Sequence, residues 1–173
     1  MMKTLIAAAV FATASLGSVA HAKDISQADE ALVFEDGAAF FGDSFGAKNG
    51  GNTFADRFTF SVSGPSYFDA LVGSFSSNPN LGLDLTSLDV FTADGDRVAV
   101  GSLLSTGSVE SRSIHTLLNS GTYFLQVTGT LVSSKGASFS GDVSLQPVPE
   151  PATYGMMLAG LGALGFMARR RKS

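Results

Sequence analysis

The chain has 173 residues, no cysteine and a formal net charge of −4, which leaves room for one domain plus processing segments. It must fold without disulfides, and every thiolate metal site is excluded. Residues 23–147 hold six basic residues against fourteen acids, a net −8 that four basic residues near the C-terminus mask in the total; such a surface argues against nucleic acid and anionic membranes as partners.

In chain order, the first segment is "MMKTLIAAAVFATASLGSVAHA". Lys3 precedes an apolar run over 5–16, and small residues follow. Ala20-His21-Ala22 fits the A-x-A cleavage pattern, so residues 1–22 read as a secretory signal peptide. Its expected partners are the secretion translocon and a signal peptidase that leaves Lys23 as the mature start.

Residues 23–147 read as an exported, all-β domain. "FADRFTFSV" puts Phe54, Asp56, Phe58, Phe60 and Val62 on one face and Ala55, Arg57, Thr59 and Ser61 on the other. Asp56 is the odd member of the apolar face, where a bare carboxylate is costly. It accepts hydrogen bonds from a neighbouring loop, binds a cation, or lies where the face is only partly covered. "SYFDALVGSF" is a second strand. "LGLDLTSLDVFTADGDRVAVGSLL" reads as strand, two-residue Asp-Gly turn, strand. "SVESRSIHTLL", "SGTYFLQVTGTLV" and "ASFSGDVSLQPV" complete the set. Short strands separated by Gly, Ser, Asn and Asp predict an antiparallel β-sandwich. Most of Phe34, Phe40, Phe41, Phe45, Phe54, Phe58, Phe60 and Phe68 fit its core.

Catalytic chemistry is thinly supplied. After removal of residues 1–22, His115 is the sole histidine, and no G-x-S-x-G elbow occurs. His115 sits in an alternating strand, where a surface or cross-strand role is the expectation. Glu30, Glu35 and Glu110 are the only glutamates before residue 148. The expectation is a non-enzymatic protein with no cofactor. "TADGDR" raises calcium at Asp94 and Asp96, but the later ligands of an EF-hand loop are absent and a hairpin turn explains the same letters.

Residues 148–173 change character. Val148, Pro149, Glu150 and Pro151 form a proline-bracketed motif that predicts an extended, accessible segment. Residues 152–168 carry no charge and predict a short transmembrane helix of about 25 Å, against a hydrocarbon core of about 30 Å. Arg169, Arg170, Arg171 and Lys172 then form a basic tail over 169–173 that would stay cytoplasmic. With the signal peptide, this places the domain outside and the C-terminus inside.

"VPEPATYGMMLAGLGALGFMARRRKS" resembles the PEP-CTERM sorting signal, with its Val-Pro-Glu-Pro motif, Gly/Ala/Leu-rich segment and basic cluster in order. The resemblance implies recognition and cleavage by an exosortase, an integral-membrane enzyme of Gram-negative bacteria that make exopolysaccharide. Val148, Pro149, Glu150 and Pro151 would be the sorting motif, and Arg169 to Lys172 the retention cluster. The protein would be held transiently in the inner membrane, then released to the cell surface or extracellular matrix with exopolysaccharide or biofilm material. A permanently anchored carbohydrate- or ligand-binding adhesion module is the alternative. "FADRF" further resembles the FxDxF group of such proteins through Phe54, Asp56 and Phe58. The strand order is similar to jelly-roll-like, pre-peptidase C-terminal sandwiches.

Overall fold

The structure is a computed structural model and describes residues 22–149 and 151–170. The proposed cleavage residue Ala20 lies outside the described residues, while Ala22 is exposed and without regular structure.

Ten strands follow in order: β1 (Glu30–Ala31), β2 (Ala38–Phe45), β3 (Thr53–Val62), β4 (Ser66–Phe75), β5 (Leu83–Thr92), β6 (Arg97–Val100), β7 (Ser102–Ser105), β8 (Val109–Leu118), β9 (Gly121–Leu131) and β10 (Ala137–Pro147). They form two five-stranded sheets, ordered β1-β3-β9-β5-β6 and β2-β10-β4-β8-β7. All pairings are antiparallel except β1 with β3. The fold is thus the expected antiparallel β-sandwich. Consecutive strands repeatedly switch sheets, so neither sheet can form alone and the core closes only when both faces meet.

The period-2 alternation of β3 is reproduced in its burial. Phe54, Asp56, Phe58, Phe60 and Val62 are all buried, while Arg57 and Ser61 face solvent. The inward faces interlock largely through aromatics. Phe45 meets Phe54 at 4.6 Å, Phe58 meets Phe41 at 4.9 Å, and Phe60 stacks on Phe68 at 4.8 Å between centroids. Leu85, Leu88 and Val90 on β5 and Leu125 and Val127 on β9 fill the middle of the same sheet as β3. Each buried side chain of this size contributes roughly 1.5–3 kcal/mol relative to exposure.

Two expectations are corrected. The Asp-Gly turn is a four-residue loop from Ala93 to Asp96, because β5 ends at Thr92 and β6 begins at Arg97. Gly95 sits at φ +92°, where glycine is unstrained; its N–H donates to the Thr92 carbonyl at 3.0 Å, and the Thr92 N–H donates to the Asp96 carbonyl at 2.8 Å. In addition, Phe40 does not join the core: it is 84% exposed on the outer face of β2.

Candidate functional site

The C-terminal segment begins as a continuation of the sandwich. β10 lies between β2 and β4 and runs to Pro147, which pairs with Ser66. Val148 then donates its N–H to the carbonyl of Pro65 at 2.9 Å. The helix α1 (Pro151–Arg170) starts two residues after Pro149. Proline suits a first helical position because its missing N–H is one the helix cannot use. The motif is therefore tied to the folded domain at Val148, not fully free as the sequence suggested. Glu150, Arg171 and Lys172 lie outside the described residues; Arg169 and Arg170 occupy the last turn of α1.

Cations in that turn complement the partial negative charge of the helix end. Leu158, Leu161, Leu164, Phe166 and Met167 are each more than half exposed. Apolar side chains around a helix with no protein against them call for an apolar environment. Even so, no helix among the described residues is long and apolar enough to cross a membrane. That corrects the expected transmembrane helix over 152–168. The helix itself is present and slightly longer, but Gly155, Gly160, Gly162 and Gly165 add no apolar side chain to it.

The second group of sequence candidates lies in β3. Phe54 and Phe58 are core residues, and Asp56 is fully buried between them. Its Oδ1 accepts the backbone N–H of Gln27 at 2.9 Å, and its Oδ2 has no hydrogen-bond partner. The Asp56 carboxyl is pushed up to about 6, by burial first and then by Asp43 on the facing sheet and Asp24, with the Gln27 N–H opposing them. Nearby, Ser26 accepts the N–H of Ala55 at 2.7 Å and donates to Asp24 at 2.5 Å. The Ser26 hydroxyl and the Ser26 N–H, both donating to Asp24 Oδ1, hold that carboxyl below the usual carboxylate range. Asp56 thus ties the N-terminal segment onto β3, which is the loop-anchoring role that sequence offered as one reading.

Asp94 and Asp96 are exposed in the β5–β6 loop. Among the described residues no group of three acidic or histidine side chains is gathered as a metal would require. His115, on β8, donates from Nδ1 to Oδ1 of Asp69 on β4 at 2.6 Å and stacks on Tyr67 at 5.6 Å. This is the cross-strand role expected of it. Sequence reading missed that β4 is apolar on both faces: Phe68, Ala70 and Val72 point inward while Tyr67, Leu71 and Phe75 point out. The doubled alternation was the available signal.

A folded two-sheet sandwich that runs straight into an apolar helix with a basic end defines a domain bearing a C-terminal sorting tail. The tail is a PEP-CTERM protein-sorting motif, whose family model matches residues 147–172. The motif implies exosortase-dependent sorting of an exported protein with a C-terminal membrane-anchoring signal. The match does not reach Phe54, Asp56 or Phe58. No curated protein matches the chain. Among solved structures, the chain is similar to the pre-peptidase C-terminal domain of a collagenase from Bacillus anthracis, at 13% identity and TM-score 0.42, over 73% of this chain and 95% of that one. It is also similar to PliG of Aeromonas hydrophila, a periplasmic inhibitor of g-type lysozyme, at 16% identity and TM-score 0.45, over 71% and 99%.

Proposed function

We propose that the protein is a non-enzymatic component of the cell surface or extracellular matrix, delivered there by exosortase processing and associated with exopolysaccharide or biofilm material in a Gram-negative host. The observation that carries this reading is the sorting motif placed directly between the end of β10 and an apolar helix. A marginally apolar, glycine-loosened helix suits a segment that holds the chain at the membrane briefly and is then discarded. The basic residues Arg169, Arg170, Arg171 and Lys172 complete the order of proline motif, apolar run and basic cluster that this reading rests on. Export begins with the signal peptide over 1–22.

Absence of catalysis is supported by chemistry. The one histidine of the domain engages a carboxylate at an open surface, with neither a hydroxyl nucleophile among its hydrogen bonds nor an enclosed cleft around it. The FxDxF residues act structurally in this reading: Phe54 and Phe58 pack the core and Asp56 fastens the N-terminal segment.

Substitution of the motif tests the sorting role. Changing Glu150 together with Pro149 and Pro151 to alanine is expected to leave the sandwich folded and to stop processing, so that the chain accumulates at full tail length in the cell envelope. Normal release of the triple variant would refute a role for the motif.

A further inference from the structure

The outer face of the sheet β2-β10-β4-β8-β7 carries a recess that the sorting role does not use. In register across four strands lie Gly42, Ser140, Gly73 and Ser111. None of them projects more than a hydroxymethyl group, so this row is a low floor running across the strands. One flanking row is Phe40, Asp142 and Leu71; the other is Phe75 beside Val109. Phe40 is 84% and Phe75 78% exposed. Rows on one face are two residues apart, so the walls stand roughly 13 Å from each other at the backbone. The recess encloses about 500 Å³, within the range of ligand sites.

In the floor row the fold itself requires glycine at 42, where a Cβ would lie 2.6 Å from the Phe139 carbonyl oxygen, but it does not require glycine at 73. The Gly73 backbone is not among the positive-φ positions. A Cβ added there would make only ordinary contacts, 3.6 Å from the Glu110 carbonyl and 3.9 Å from the Phe75 ring. The sheet tolerates a side chain at 73, yet it has none, and the floor stays open.

We propose that this recess binds a linear, neutral, hydroxyl-rich polysaccharide chain. Phe40 and Phe75 offer ring faces to the C–H faces of sugars, Asp142 accepts hydroxyl hydrogen bonds, and the serines of the floor both donate and accept. Charge decides against other polymers. The recess contains a carboxylate and no cation, in a domain of net −8, so an acidic polysaccharide or anionic lipid meets repulsion. A second copy fits poorly too: two identical recessed faces meeting across a two-fold axis would close on an unfilled void. This inference deepens the polymer-associated reading given above and rests on it.

The test uses the purified full-length chain in mild detergent, titrated calorimetrically with cellohexaose, mannohexaose and hexagalacturonate. At least one neutral hexasaccharide binds, and hexagalacturonate binds at least tenfold more weakly. Gly73→Val removes binding without lowering Tm, while Phe40→Ala and Phe75→Ala each weaken it about tenfold. Leu117→Ala, on the same face but away from the recess, leaves binding unchanged. The proposal is overturned if neither neutral sugar binds at 10-fold excess over a millimolar Kd, on the order of 10 mM. It is also overturned if Gly73→Val still binds with Tm intact, if the acidic sugar is preferred, or if the chain dimerises through Phe40 and Phe75. Because tail processing plays no part in this assay, sugar binding by a chain that cells never process would fail the sorting reading alone. Processing without sugar binding would fail the recess alone.

Discussion

Asparagine at position 56 raises the unfolding free energy at pH 7 by roughly 2–3 kcal/mol and flattens its pH dependence between about 4 and 6. In the native protein Asp56 is fully buried, with one oxygen bonded to Gln27 and the other without a partner. Its carboxyl is pushed up from 3.8 to about 6 by burial first, then by Asp43 and Asp24. The sign follows from proton counts. Between those two values the folded state holds a proton that the unfolded chain releases, so stability falls as pH rises. The contribution is intact below about 4 and lost above about 6. Asp24 acts in the opposite direction and in a lower window, since its carboxyl is lowered and its stabilisation disappears only as pH falls below 3.8. An amide at 56 keeps the acceptor for the Gln27 N–H, carries no charge to desolvate, and can donate toward Asp43. Urea unfolding of both forms from pH 4 to 8 measures the difference. A less stable asparagine variant at pH 7, or an unchanged slope, contradicts the account of this carboxylate.

Removal of the Phe58 ring is the most damaging core change expected. Phe58 has no solvent exposure and packs on Phe41 at 4.9 Å and on Phe139 at 6.4 Å, so it bridges both sheets. Phe58→Ala is expected to cost about 3–5 kcal/mol, from lost transfer energy plus the cavity that the stiff strands cannot close. A domain of this size has about 5–15 kcal/mol in all, so the variant unfolds partly at physiological temperature. The neighbouring Arg57 is a built-in control. Its guanidinium lies 4.9 Å over the Phe124 ring on the outer face, and Arg57→Ala should cost only about 0.5–1 kcal/mol. Equal losses for the two would show that inward and outward faces of β3 have been misassigned.

Legibility followed the strength of the periodic signal. β3 and β9 alternate strictly because one face is core and the other water, and the inward residues of β3 are those the sequence marked. β2 escaped notice because Phe40 and Phe41 stand side by side; its pattern emerges only once Phe40 is seen to face outward. The turn after β5 was misjudged in length because a bulge shifts the register between Val90 and Phe91, which no local motif announces. Asp56 was marked as anomalous, but its partner Gln27 and its neighbour Asp43 are brought to it by the N-terminal segment and the opposite sheet. Those are long-range contacts without a sequence signature. The tail was the reverse case: its order of proline motif, apolar run and basic cluster is local and readable, whereas the bond between Val148 and Pro65 is not.

The central claim is that the tail is a signal consumed in sorting. Intact-mass measurement of the released protein, from cells with and without the processing enzyme, tests it most directly. With the enzyme, the chain should begin at Lys23 and lack Arg169, Arg170, Arg171 and Lys172 together with the apolar helix; without it, those residues should remain. A released protein that keeps its basic tail in the presence of the enzyme contradicts the claim.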